Sequence, residues 1–206
     1  MKGGRLLVFA RAPVPGKAKT RLIPRLGAEG AARLQGHLTR QTLHTACTSS
    51  LPGIDLWCAP DIQDPFFRKC AADFPVTLHA QAGADLGQRM QNALQEALQQ
   101  APWAIIVGTD CPGLTTTDLH QAEDVLKYRD AVLGPAHDGG YYLLGLKSAP
   151  RDLFTDIPWG SAQVAALTRA RMHALSWSWA ELRLQHDLDR PADLDHFPKL
   201  AQDSGL

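Results

Sequence analysis

Short apolar runs alternate along this chain with longer segments in which apolar residues return every three or four positions. Leu6–Ala10 is the first run, too short for a helix and continuous enough for a buried strand. Ile54–Cys58, Val76–His79, Ala104–Val107, Ala131–Leu133 and Tyr141–Leu146 repeat the pattern, with Ala104-Ile-Ile-Val107 reading as a strong central strand. Between these runs, Leu86, Met90, Ala93, Leu94, Ala97 and Leu98 share one helical face behind Asp85, a plausible N-cap. Leu119, Ala122 and Leu126 do the same after Thr115-Thr-Thr-Asp118, which has capping-box spacing with Asp in the Glu/Gln place. Ala31, Leu34 and Leu38 mark the first helix. Such alternation predicts an α/β fold, a three-layer α/β/α sandwich around a mostly parallel sheet covered on both faces. No repeat, low-complexity tract or linker interrupts it. The stretch from Lys147 to Gly160 reads as an ordered excursion, so residues 1–206 are expected to form a single domain.

Composition narrows the class without naming a function. Hydrophobic residues make up 45% of the 206 and charged residues 20%, enough apolar material for a core. The formal net charge is zero, which argues against a nucleic-acid or membrane-binding face. No apolar run approaches the roughly 20 residues of a membrane-spanning helix. Only Leu6–Ala10 separates Arg5 from Arg11, short of the about 7–15 apolar residues of a signal peptide. A soluble cytoplasmic protein is expected. The four cysteines (Cys47, Cys58, Cys70, Cys111) form no Cys-x-x-Cys pair, so reduced, mostly buried thiols are expected rather than a zinc site. Cys111 lies where a nucleophile could sit, but no partner His can be assigned to it.

Charge is neutral overall but not locally. The first 28 residues contain no acid and seven of the 21 basic residues. Arg11-Ala-Pro-Val-Pro-Gly-Lys17-Ala-Lys19-Thr-Arg21 directly follows the first predicted strand. Ligands of open α/β sheets bind at the carboxyl ends of strands, so a cationic loop there suggests phosphate. It is no Walker A motif, because position 11 is Arg where that motif needs Gly. Pro13, Pro15 and Gly16 would stiffen the turn while Lys17, Lys19 and Arg21 project charge, with Ala10 and Arg11 at the strand's end completing a nucleotide-binding set. Arg89, after the Gly83-Ala-Asp-Leu-Gly87 loop, either reaches the base or phosphate or makes a surface ion pair.

Three further segments carry candidate chemistry. Ile105-Ile-Val-Gly-Thr-Asp110 ends a strand in a carboxylate, and magnesium on a nucleotide typically uses only one or two carboxylates. Asp138-Gly139-Gly140-Tyr141 joins two predicted strands. It is read equally as a plain hairpin turn or as an acceptor site in which Asp138 acts on the substrate. Trp159 would wall the acceptor pocket or pack in the core. Asp187 and Asp189 point to one side if that stretch is extended, where either could join Asp110 on a metal. The plainer reading makes the same segment a helix start before Pro191.

Together these motifs resemble one family. Phe9-Ala-Arg-Ala-Pro-Val-Pro-Gly-Lys17-x-Lys-Thr-Arg-Leu22, Gly83-Ala-Asp-Leu-Gly-Gln-Arg89-Met90, Gly108-Thr-Asp-Cys-Pro112, Gly134-Pro-x-x-Asp-Gly-Gly-Tyr-x-Leu-x-Gly145, Ile157-Pro-Trp159 and Asp187-x-Asp-x-Pro-x-Asp-Leu194 are similar to the signatures of small bacterial GT-A-fold glycosyltransferases, some linked to arsenosugar biosynthesis. The opening loop also resembles that of phospholactate guanylyltransferases. The resemblance implies a nucleotide-diphospho-sugar transferase fold, with Asp110 as a metal-binding carboxylate for Mg²⁺ or Mn²⁺. The chain departs from the nucleotidyltransferase opening Gly-x-Gly-x-Arg by lacking its first glycine. Position 108 is Gly, so there is no literal Asp-x-Asp, and the donor and the metal's second ligand stay open.

Three functions are therefore weighed. The first is sugar transfer from a nucleotide sugar to a small acceptor, and the second is nucleotidyl transfer from a nucleoside triphosphate to a phosphorylated small molecule. The third is non-catalytic nucleotide binding. The loop's charge favours the second and the resemblance favours the first, and metal-dependent glycosyl transfer is the function expected, with nucleotidyl transfer as the alternative and the binding module behind both. Asp110 and Asp138 are the catalytic candidates, Gly139, Gly140, Tyr141 and Trp159 the acceptor-binding ones. No nucleic-acid or membrane partner is expected, and homodimer formation is left open.

Overall fold

A computed structural model describes residues 3–198 and 200. Seven strands, β1 (Arg5–Arg11), β2 (Ile54–Ala59), β3 (Thr77–Ala80), β4 (Ala104–Gly108), β5 (Ala131–Pro135), β6 (Tyr141–Leu146) and β7 (Trp179–Glu181), make one sheet in the order β3-β2-β1-β4-β6-β5-β7. β3, β2, β1 and β4 are parallel, β6 runs against both β4 and β5, and β7 is parallel to β5. Only β6 is reversed, because the Asp138-Gly-Gly turn sends it straight back along β5 as a hairpin.

Helices α1 (Ile23–Thr48), α2 (Pro65–Asp73), α3 (Leu86–Leu98), α4 (Thr116–Tyr128) and α5 (Val164–Ala174) cover the sheet. On one face, Leu6, Val8 and Ala10 of β1 and Ile105 and Val107 of β4 pack with Leu43 of α1, Phe67 of α2 and Leu119 of α4. On the other, Leu7, Ala104 and Ile106 pack with Met90 and Leu94 of α3 and with Ala165 and Met172 of α5. Both strands are apolar at successive positions because both their faces are covered, the condition that parallel sheets require. The mostly parallel three-layer expectation is therefore met.

Local signals are met as well. Asp85 caps α3, accepting from the Gln88 amide at 2.8 Å. Thr115 and Asp118 form a reciprocal capping box at the start of α4. β3 starts one residue later than its hydrophobic run predicts. α2, α5 and β7 were not foreseen. α2 is short but announced by Asp64-Pro65, with the Asp64 side chain accepting from Phe66 N. α5 buries Val164, Ala165, Thr168 and Met172, and the Thr168 hydroxyl is satisfied by Val164 O at 2.9 Å, so a polar residue hides in its apolar stripe. β7 is only three residues long, at the sheet edge.

The strand order positions the site. β1 leads into α1 and pairs with β2 on one side, while β4 flanks it on the other, with Phe9 opposite Gly108 at their carboxyl ends. From β1 the chain goes on to β2 and from β4 to β5, toward opposite edges of the sheet, which opens a crevice between their loops.

Candidate active site

That crevice is a cleft of about 740 Å³. Its walls include Ala10, Arg11, Lys17, Lys19 and Arg21 from the loop after β1, Asp110 from the turn after β4, and Arg89 from α3. Asp138, Gly140 and Tyr141 enter from the β5–β6 hairpin, Trp159 from the following excursion, and Asp187 and Asp189 from the segment after β7. Residues as far apart in sequence as Ala10 and Asp189 thus meet in one cavity.

Inside the cleft the basic loop divides its charges. Arg11 and Lys17 are exposed, and neither side chain makes a hydrogen bond or ion pair among the described residues. Lys19 is different. Its backbone is left-handed (φ 46°), and its side chain is only 2% exposed. The ammonium donates to Leu188 O at 2.5 Å and lies 2.7 Å from Asp110 Oδ1. Leu188 N in turn donates to Asp110 O at 2.7 Å. Lys19 therefore ties the β1 loop, the β4 turn and the 186–189 segment together. Arg21 pairs with the Asp189 carboxylate.

The acids respond to this crowding. Asp110 keeps about half of its side chain exposed. The Asp187 carboxyl accepts no hydrogen bond among the described residues and is pushed up to about 8 by burial, then by the charges of Asp138 and Asp110, with Lys19 opposing. Asp189 is engaged by Arg21. Asp193 accepts from the amides of Asp189 (2.9 Å) and Arg190 (2.6 Å), so the turn-start reading before Pro191 also holds, through Asp193. No group of three His, Cys, Asp or Glu side chains among the described residues is arranged to hold a metal. The donor set is one or two carboxylates, which suits a cation carried in by phosphates and water rather than a protein cage.

A node that sequence reasoning missed holds the 183–189 segment in place. Asp118, 1% exposed, accepts from Arg183 Nε at 2.8 Å, Arg183 Nη2 at 2.9 Å and Gln185 Nε2 at 3.2 Å. Arg183 and Gln185 also both donate to Gly113 O, at 2.9 and 3.0 Å. Backbone bonds Gln185 N to Pro135 O (3.1 Å) and His137 N to Gln185 O (2.9 Å) lay the segment beside the hairpin. His137, His186 and His196 stack in a column, with centroids 3.7 and 4.1 Å apart. The only sequence clue was Asp118 in its capping box, which said nothing of its second set of partners.

The hairpin side is less charged. Asp138 Oδ1 accepts from Gly140 N at 2.8 Å. Gly139, placed in the acceptor set by the sequence, does not line the cleft. Its φ is +87°, a Cβ would lie 2.2 Å from Ala162 O, and its carbonyl accepts from Ala165 N at 2.9 Å. Its place is structural: it docks the loop that enters α5. The Tyr141 hydroxyl lies 3.9 Å from Met90 Sδ, and burial pushes the phenol up. Trp159 packs against α3, where a Cβ at Gly87 would come within 2.5 Å of the indole nitrogen. Cys111 is buried, with its thiol pushed up to about 12 by burial first and Asp187 second, which disfavours the thiolate that a nucleophile needs.

With this geometry in view, the chain's relatives can be placed. The profile of uncharacterized proteins conserved in bacteria (DUF2064) matches residues 42–161, more than half of the chain. The chain belongs to this family. DUF2064 membership accords with the resemblance in the motifs, since a "putative nucleotide-diphospho-sugar transferase" from Desulfovibrio desulfuricans G20 superposes with a TM-score of 0.88 at 31% identity, over 99% of this chain and 90% of that one. A cytidylyltransferase from Leptospira borgpetersenii serovar Hardjo-bovis shares the fold at TM-score 0.63 and 14% identity, over 96% and 85% of the two chains. A Mycobacterium tuberculosis H37Rv protein solved with manganese does so at TM-score 0.50 and 14% identity, over 97% and 99%. Among curated proteins none matches the DUF2064 chain. No helix among its described residues is long and apolar enough to cross a membrane.

Proposed function

We propose that this chain is a metal-dependent glycosyltransferase that moves a sugar from a nucleotide-sugar donor to the hydroxyl of a small acceptor. The observation that carries the choice over nucleotidyl transfer is how the loop's cations are committed. Lys19 and Arg21 are already paired with Asp110 and Asp189, which leaves Arg11 and Lys17 of that loop for phosphate. Two free cations match a diphosphate better than the more highly charged triphosphate. The likeness to a nucleotide-diphospho-sugar transferase, extending over nearly the whole chain, supports the same class.

In this reading Arg11 and Lys17 grip the diphosphate and Arg89 closes the site from α3. Asp110 and Asp187 are the residues that would hold Mg²⁺ or Mn²⁺. Asp189, held by Arg21, is the weaker candidate, and half-buried Asp187, whose carboxyl burial and the charges of Asp138 and Asp110 push up, is the group whose ionised form a dication would favour. When bound, the cation supplies Lewis-acid stabilisation of the departing diphosphate. Asp138 orients the acceptor hydroxyl and takes its proton as the oxygen attacks the anomeric carbon and the bond to the diphosphate breaks. Gly140, Tyr141 and Trp159 wall the acceptor side.

The test is calorimetric titration of nucleotide sugars and nucleoside triphosphates with Mg²⁺, Mn²⁺ or EDTA, on wild type and Asp110→Asn. Metal-dependent binding of one nucleotide sugar, weakened by about tenfold or more in Asp110→Asn, is expected. Preference for a triphosphate would replace this reading with nucleotidyl transfer. Nucleotide binding that ignores both metal and Asp110 would leave only a binding module.

A further inference from the structure

The cleft has a second wall whose chemistry is unlike that of the basic loop. The loop leaves β1 on the face of the sheet that α1 covers, where Ala12 and Val14 join the core with Leu43. Leu86 and Met90 of α3, Tyr141 of β6, Trp159 and Val164 of α5 line the cleft as well, and Met90, Tyr141 and Trp159 belong to the core of the opposite face. Met90 and Val164 are nearly buried, but Leu86 is 45% exposed, a large apolar side chain left at the cleft by the first residue of α3. The two aromatic residues keep their polar atoms against the protein. The Tyr141 hydroxyl lies 3.9 Å from Met90 Sδ, and the Trp159 indole nitrogen packs against Gly87. These five residues therefore offer the cleft hydrocarbon, bordered by the Asp138 carboxylate, whose one hydrogen bond among the described residues comes from Gly140 N in its own turn.

The wall discriminates among the groups that a transferase must hold. In a nucleotide sugar the diphosphate separates the nucleoside from the carbon under attack, so the group beside Asp138 is the acceptor or the transferred sugar rather than the base. A sugar brings several hydroxyls, and hydroxyls set against hydrocarbon without partners cost affinity. An alkyl or aryl body gains instead by covering Leu86 and Trp159. A phosphorylated acceptor would bring its charge against Asp138, a like-charge contact that disfavours it. Arg89, one turn beyond Leu86, belongs to the diphosphate in the reading above and donates from Nε to Gly83 O at 3.1 Å.

We infer that the acceptor is a neutral alcohol with an apolar alkyl or aryl body, which lies on Leu86, Met90, Tyr141, Trp159 and Val164 and presents its hydroxyl to Asp138. The inference rests on the glycosyl-transfer reading above. The alcohol oxygen bonds to the anomeric carbon, its proton passes to Asp138, and the electron pair of the broken carbon–oxygen bond leaves with the diphosphate. The test begins with calorimetry of UDP-, CDP-, GDP-, ADP- and dTDP-glucose in Mg²⁺. Saturation-transfer NMR then measures 2-phenylethanol, glycerol and glycerol 3-phosphate on the protein saturated with the matching nucleoside diphosphate. The same titrations are made on Leu86→Gln, and thermal melting checks that this exposed position tolerates the change. Binding of 2-phenylethanol at least about tenfold tighter than of the other two is expected. Leu86→Gln is expected to weaken it by about threefold or more, as lost apolar contact requires. Preference for glycerol or glycerol 3-phosphate would overturn the inference, as would wild-type affinity for 2-phenylethanol in the folded variant. Weaker binding of the nucleotide sugar in Leu86→Gln would place the donor on this wall and also overturn it. A wild type that binds none of the nucleotide sugars would overturn the reading on which it rests.

Discussion

Removing the Asp118 carboxylate tests the account of how the site is held together. Its oxygens accept five hydrogen bonds, from Thr115 N (2.9 Å), Thr115 Oγ1 (2.7 Å), Arg183 Nε (2.8 Å), Arg183 Nη2 (2.9 Å) and Gln185 Nε2 (3.2 Å). Asp118→Ala breaks a capping box, worth about 1 kcal/mol. It also breaks a charge pair whose acidic partner is buried, and losing one partner of such a pair costs about 3–5 kcal/mol. The guanidinium of Arg183 is 55% exposed and can rehydrate, so a total near the lower bound, about 3 kcal/mol, is expected. Burial works to raise the Asp118 carboxyl, but the bonds from Arg183 and Thr115 outweigh it and hold the group below its ordinary value of 3.8. Its stabilising contribution is therefore complete above about pH 4 and is lost as pH falls toward the folded value. Urea unfolding followed by far-UV circular dichroism, at pH 7 and at steps down to pH 3, would measure both effects. Asp118→Asn should show a wild-type advantage at pH 7 that shrinks on acidification. A loss under about 1 kcal/mol for Asp118→Ala, or an advantage that does not shrink, would refute the argument.

Two other expectations follow from backbone and thiol geometry. Gly139→Ala places a Cβ 2.2 Å from Ala162 O at φ +87°, so it should lower stability by about 2 kcal/mol or more, read as a drop in Tm of several degrees. Cys58 and Cys111 are buried, with thiols pushed up to about 12 chiefly by that burial. A disulfide-exchange reagent at pH 8 should therefore leave both unmodified in the folded protein and label them in guanidinium, as mass spectrometry of the labelled peptides would show.

What could be read from the sequence was whatever depends on neighbours a few residues apart. Helix and strand periods are properties of the local backbone, so Leu86–Leu98 and Leu6–Ala10 declared themselves, and caps such as Asp85 and Thr115–Asp118 act within one turn. The placement of Asp110 at a strand's carboxyl end, and of the basic loop after the first strand, followed from the same local patterns. α5 escaped because Thr168 interrupts its apolar stripe, and β7 because three residues show no usable period. The tertiary structure decided what the charges do. Lys19 and Arg21 counted as phosphate ligands while their partners were unknown. Those partners lie 169 and 168 residues away, at Leu188 and Asp189. The anchoring of Asp118 by Arg183 spans 65 residues, and the role of Gly139 depends on the backbone of Ala162. Such pairings are set by the strand order and by which loops the sheet brings to one edge. A side chain's chemistry is written in its own position, but whether its charge is free or already spent depends on what the fold packs beside it.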